Sequence, residues 1–510
     1  MTGRVAMGWS AKTGRPSNIP RDLTDLNGPA IDPKPRVLWL LRMTRMASPL
    51  GEVKEFCAQA TALGHPLGSD TLSSIENGRR AMSAEVITTY ERVLHKRPGD
   101  LLGPSDALWR TFGSIGLRHT SHTTRDATWT ELERLEGRFQ DNQMTGGDWL
   151  SFSNLVDMRD GLMLFPSVQE EWSDRLVTEM MRSVGAAYIA RCEAISRLLH
   201  DPQPRRAIIQ AVRVATHEDG AQGTIDAVAA LGDAPRASAL DEVLRIFSTT
   251  TGGPRTGAAL ALQQWADLGE FDTADRDRIT RHLVAVAHDD PTEGGEAAMV
   301  VAPYISSQLT TALLRRSGAE GRVAALPTRM RRPPRIGQYL SAAANYSGIS
   351  TDPMLERLLQ EALAHEHDGR GHHALVLLGA SPYREPIAET ALDIFASAEP
   401  PARKAAGHML TYLAGPQHQQ ALTALLHDPE LSVQAFALQA LAHSSGVPAD
   451  IDLHEHLIHP SLASATIYAA GMSGHPDLAS AVGSRFVRGD VQQSAKWWMA
   501  HGTRVDDAPA

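Results

Sequence analysis

The sequence predicts an all-α protein, with an N-terminal domain of four short helices followed by an α-solenoid of stacked helix pairs. Three observations carry that expectation. Aromatic residues make up only 5% of the 510 residues while Ala is abundant, a balance that favours close-packed helices over sheets built from aromatic and β-branched strands. Apolar positions recur at three- and four-residue steps through most of the chain. Beyond residue 200 the helical stretches are short and are cut repeatedly by Gly, Pro and Asp, as stacked helix pairs require.

The chain is too long for one ordinary domain. Its net charge of −10 argues against a protein that coats nucleic acid along its whole length. The distribution is uneven: residues 1–110 carry a balance of +4 and the remainder −14. Any DNA contact is therefore expected in the N-terminal part, with the acidic remainder kept off the phosphates. No apolar run approaches the ~18 residues of a membrane span, and the N-terminus lacks the order of a signal peptide, so a soluble, cytoplasmic protein is expected. Cys57 and Cys192 have no metal-ligand spacing and predict no disulfide framework.

Residues 1–34 are rich in Gly, Pro, Asn and Thr with scattered Arg4, Lys12, Arg15 and Arg21, and read as a flexible basic arm. Four helical patterns follow between 35 and 102. Val37, Leu38, Leu41 and Met46 form the first apolar face. Ser48-Pro49 offers an N-cap and first-turn Pro for a second helix carrying Val53, Phe56, Cys57, Ala60 and Leu63, which Gly64 ends. The third runs from Gly68 to Arg80, with Leu72 and Ile75 facing inward and small polar side chains on the other faces; Asn77-Gly78 suits a left-handed C-terminal turn. Ser83 caps a fourth, whose buried side is Val86, Ile87, Tyr90, Val93 and Leu94. Four helices in so short a span, with a Gly between the second and third, describe a helix-turn-helix domain.

The run Leu72-Ser73-Ser74-Ile75-Glu76-Asn77-Gly78-Arg79-Arg80, followed by Ser83, Glu85 and the Tyr90 to Leu94 helix, resembles the Xre or phage-repressor class of helix-turn-helix regulators. The stretch from Gly64 to Glu76 is about two residues longer than that family's, which implies an enlarged turn. The resemblance implies binding to double-stranded DNA. It puts Ser69, Asp70, Thr71, Ser73 and Ser74 toward bases, Asn77 toward the backbone, and Arg79 and Arg80 on phosphates. Asp70 could instead cap the helix N-terminus. Glu76 is expected to make a contact inside the domain, because it would repel phosphates. With no Arg or Gln at the reading positions, direct readout should be modest, helped by DNA shape or by a second copy of the domain.

Leu101-Leu102-Gly103-Pro104 reads as a boundary, residues 103–127 as a linker, and 128–200 as a helical connecting region. In the last of these, Leu132, Leu135 and Phe139 share a face after Thr130 and Glu133. A long helix is expected from Ser167 to His200. From 201 to 505 the breaks include Asp201-Pro202, Gly253-Pro254, Asp352-Pro353, Pro400-Pro401, Asp428-Pro429 and His459-Pro460. The segment from Leu425 to Leu441 resembles a HEAT repeat, with Gln434 where an Arg is usual. Each pair exposes an apolar stripe that only a neighbour can bury, so stacking follows.

Candidate chemistry within the array is sparse. His365, His367, His372 and His373 flank a Gly-rich turn, and His454, His456 and His459 follow two acids, but neither group has a zinc-site pattern. A basic patch of Arg329, Arg331, Arg332 and Arg335 lies in a loop that could touch phosphates or an acidic partner. No phosphate-binding loop, nucleophile elbow or catalytic dyad is visible, and neither an enzyme, a cofactor nor a bound metal is expected. The expected function is transcription regulation by a DNA-binding protein, as a homodimer, with a peptide, small-molecule or protein effector on the helical array. A scaffold that uses the helix-turn-helix for protein contact is the alternative, and a HEAT-like DNA glycosylase the third.

Overall fold

The computed structural model describes residues 19–26, 28, 30–113, 125–157, 164–316, 333, 335–364, 368–397 and 399–507. It is all-helical: 27 α-helices are found among these residues, with a single isolated bridge between Ser183 and Val505. The N-terminal helices are α1 (Pro33–Met46), α2 (Val53–Ala62), α3 (Ser69–Glu76), α4 (Ala84–Val93) and α5 (Leu102–Phe112). Next come α6 (Arg125–Gln140), α7 (Gly146–Asp157), α8 (Pro166–Met181), α9 (Gly185–Leu198), α10 (Pro202–His217) and α11 (Thr224–Ala229). The middle holds α12 (Arg236–Thr249), α13 (Gly252–Asp267), α14 (Thr273–Asp289), α15 (Glu293–Ile305) and α16 (Ser307–Arg316). The remainder is α17 (Ile336–Ser347), α18 (Pro353–Ala364), α19 (Asp368–Ala380), α20 (Arg384–Ser397), α21 (Pro400–Leu413), α22 (Gln419–Ala424), α23 (Leu431–His443), α24 (His454–Ile458), α25 (Ala463–Ser473), α26 (Asp477–Gly483) and α27 (Gly489–His501).

Local chemistry explains many of the boundaries. Asp32, Asp201 and Asp272 cap α1, α10 and α14, each accepting from a backbone N–H of the first turn. Asp352 accepts from Met354 and Leu355 at the start of α18. Gly64 (φ +81°) follows α2 and Gly78 (φ +70°) follows α3, the left-handed positions where a Cβ would be strained. Ser83 holds the N-cap position of α4, without a side-chain capping bond.

Several expectations need correction. Ser48-Pro49 does not open α2: the Ser48 hydroxyl is used within a turn, accepting from Leu50, and the helix begins at Val53. The single long helix expected over Ser167–His200 is two helices, α8 and α9, broken at Gly185 (φ +58°). The apolar period runs on across the break and conceals it. Residues 103–112, read as the beginning of a linker, belong to α5, in which every residue from Leu102 to Leu108 is buried against α9 and α19; residues 114–124 lie outside the described residues. The arm is also partly docked: Ile19, Asp22 and Ile31 are buried, whereas residues 1–18 lie outside the described residues.

The repeat starts sharpen in the same way. Helices α21, α23 and α25 begin at Pro400, Leu431 and Ala463, so the Pro steps lie just ahead of two helices and inside the first turn of the third. These helices stack on one another, and α27 stacks on α25. At the other end of this stack α19 packs on α21 and on α5 and α9. The chain's last residues then return to the region between α8 and α11. Trp497 and His501 of α27 reach the Glu218 carboxylate at 3.0 and 2.6 Å, and Gln222 donates to Ser494. Gly220 (φ +75°) lies so close to α27 that a Cβ would sit 2.2 Å from the Gln493 backbone. The C-terminal helices therefore close a ring through α5 and α9.

Candidate functional site

Two places qualify, the outer edge of α3 and the lumen of the ring. Helix α3 is fixed from inside. Leu72 and Ile75 are buried, and so is Glu76, which lies in a bidentate ion pair with Arg45 (2.7 Å each) and accepts from the Tyr90 hydroxyl at 2.6 Å. The expectation of an internal role for Glu76 has its physical basis in these contacts. Asp70, Asn77, Arg79 and Arg80 are exposed, while Ser69, Thr71, Ser73 and Ser74 are half-buried. Ser69 is turned toward the Cys57 thiol of α2, whose pKa burial pushes up. Asp70 lies in the first turn, where the helix dipole favours a carboxylate, and Gly68 occupies the N-cap.

Beyond the helix, Asn77 donates to the Ser73 carbonyl at 2.7 Å and Arg80 to the Thr71 hydroxyl at 3.2 Å. Lys34 of α1 donates to the Gly78 carbonyl at 2.7 Å. The C-terminal end of α3 thus gathers Lys34, Arg79 and Arg80. Of the secondary basic patch, Arg335 is exposed with φ +66° just before α17, and Arg329, Arg331 and Arg332 lie outside the described residues.

The α1–α5 group is locked to the array. Arg36 of α1 is fully buried, donating to Asp22 at 2.7 Å and to both oxygens of Glu361 in α18 at 2.6 and 2.7 Å. Arg370 also donates to Glu361, at 2.5 Å. Trp39 stacks on Tyr383 and donates to Asp352 at 2.9 Å. On the other side Arg110 of α5 bridges Glu193 (2.7 Å) and Asp233 (2.6 Å).

The lumen is a cavity of about 1590 Å³, larger than the roughly 300–1,000 Å³ of common small-molecule pockets. Its wall carries one face each of α9, α19, α21, α23, α25 and α27. Tyr188, Tyr412 and Tyr468 line it together with His372, His408 and His443. Tyr412 lies 3.2 Å from His372 Nδ1. His443 is held between the Thr411 carbonyl (2.9 Å) and the Tyr468 hydroxyl (3.0 Å). Its Nδ1–H must then donate to the carbonyl, leaving Nε2 to accept from the hydroxyl. Burial lowers the pKa of His443 and takes that of His372 down to about 4, so both rings are neutral at pH 7. Asp226 of α11 also projects into the cavity.

None of these wall residues was singled out from sequence as a lumen site. A signal was present: five of the six inner helices carry a His or Tyr on the lumen face, such as His408 and Tyr412, His443, and Tyr468. His372 and His373, weighed as metal candidates, are instead packed among aromatic neighbours. Among the described residues no group of three His, Cys, Asp or Glu side chains is placed to hold a metal. Trp265 and Trp498 are fully buried in helix packing.

Comparison with known proteins adds little. No family model and no curated protein matches the chain. Among solved structures it is similar to an engineered protein solved as a structural-genomics target. The two are 13% identical over 91% of this chain and 98% of that one, with a TM-score of 0.19, too low to carry any argument. The class that the geometry itself defines is an all-α helical array with a central cavity. No helix among the described residues is long and apolar enough to cross a membrane.

Proposed function

We propose that the protein is a sequence-specific DNA-binding transcriptional regulator in which α1–α4 form an Xre-like helix-turn-helix and α3 enters the major groove. One observation carries this reading. Helix α3 buries its apolar side and Glu76 while leaving Asp70 exposed in its first turn and Asn77, Arg79 and Arg80 exposed just past its end. That division is what a groove-reading helix needs: an anchored back, polar side chains in front, and cations just beyond its end for phosphates. The half-buried hydroxyls give weak base selection, so a two-fold homodimer on half-sites ~34 Å apart supplies the remaining specificity. The lumen receives the effector.

Footprinting of the full chain on its own upstream region tests the reading. A protected site is expected, and the Arg79→Ala/Arg80→Ala variant should lose it while keeping its helix content. Removing two phosphate contacts should also flatten the dependence of log K on log salt by roughly 2. Absence of any protected or preferred sequence for the parent protein would overturn the proposal.

A further inference from the structure

The lumen wall is unevenly charged. Its arginines are paired, and Lys96 at the rim is exposed. Arg97 pairs with Asp100 and donates to the Asp507 carbonyl, and Arg384 donates to the carbonyls of Leu413 and Ala414. Asp226 is different. Its carboxylate is open to the cavity yet surrounded by the ring, and among the described residues no Arg or Lys forms an ion pair with it. Tyr188 lines the same cavity. The surrounding wall raises its pKa, and after burial its charge is the next influence raising the hydroxyl pKa values of Tyr188, Tyr412 and Tyr468. A carboxylate without a neighbouring cation, set in a walled cavity, draws a cationic ligand toward it.

Three tyrosines on the same cavity wall supply what an ammonium group needs in addition to charge: aromatic faces for cation–π attraction and hydroxyl oxygens as acceptors. The neutral His372 and His443 present no competing charge. We infer that the lumen is a binding site for an alkylammonium ligand whose cationic group is seated at Asp226 among Tyr188, Tyr412 and Tyr468. The cavity volume accommodates a ligand with several such groups, and Asp219 on the same wall extends the negative field beyond the seat. This assignment does not depend on DNA binding.

Isothermal titration of the full chain without DNA tests it, with spermine as a free polyamine and Lys-Lys-Lys as a peptide source of the same chemistry. Saturable binding near one equivalent is expected for at least one probe, and the tighter of the two identifies the source. Asp226→Asn should weaken that probe tenfold or more and abolish the rise in Tm it causes, while leaving the Tm of the free protein unchanged or higher. Asp289→Asn, at an exposed acid on α14 outside the lumen, should bind like the parent. If neither probe binds, or if Asp226→Asn titrates like the parent, the attraction is no more than that of a diffuse acidic surface and the assignment fails.

Discussion

Glu91 shows how much one buried carboxylate can set the response to pH. It sits on α4 with its Oε1 accepting from the backbone N–H groups of Leu101 (2.7 Å) and Leu102 (2.8 Å), at the mouth of α5. Burial pushes its pKa up, the two backbone bonds hold it down, and the balance is about 7 against an ordinary 4.5. The folded state therefore holds a proton between pH 4.5 and 7 that the unfolded chain has released. Stability contributed by this group is fully present below pH 4.5 and is lost as the pH rises through 7. Two and a half pKa units correspond to an upper bound of about 3 kcal/mol. Glu91→Gln retains a carbonyl acceptor without the charge, so denaturant titrations should find it more stable than the parent at pH 8, by roughly 1 kcal/mol or more. Its loss of stability between pH 5 and 7 should be smaller, and identical pH profiles would contradict the prediction.

At the level of elements, sequence conveyed what local chemistry determines. Asp201-Pro202 and Asp352-Pro353 mark real helix starts because a carboxylate and a preset φ act within one turn. The inward face of Leu72 and Ile75 and the left-handed Gly78 were legible for the same reason. Sequence did not convey which helices meet. Helix α5 looked like a linker because its apolar positions are few, yet Gly103 is buried by close approach of α9 rather than by bulk. Arg36 looked like one basic residue among many. Its partners Asp22 and Glu361 lie 14 and 325 positions away, a separation no local pattern reveals. Truncating it leaves two buried carboxylates without that guanidinium, and breaking such a pair costs about 3–5 kcal/mol. Arg36→Ala should therefore lower Tm and expose the 19–31 segment to rapid trypsin cleavage at Arg21. A variant as resistant as the parent would show that α1 is held by packing alone.

For the whole molecule, the decisive feature is closure, which turns a stack of repeats into a ring with an inside. An open solenoid is stabilised by nearest neighbours only, but here the residues after α27 tie distant repeats together. Val505 donates to the Arg182 carbonyl at 2.9 Å, Asp507 pairs with Arg191 and accepts from Gly146 (both 2.9 Å), and Arg504 donates to the Ser444 carbonyl at 2.8 Å. The same tail thus bonds helices at both ends of the ring. Glu218 provides the second clasp through Trp497 and His501. Closure encloses Asp226 and the tyrosines, and it fixes α5, and through it the α3 edge, relative to the lumen. Removing residues from 503 onward together with Glu218→Ala should leave helix content near that of the parent, because each pair keeps its neighbours. The radius of gyration measured by small-angle X-ray scattering should increase, Tm should fall, and spermine or Lys-Lys-Lys should bind more weakly as the walls around Asp226 separate. Unchanged dimensions with unchanged Tm would mean that packing of α5 and α9 against α19 holds the ring without its clasp.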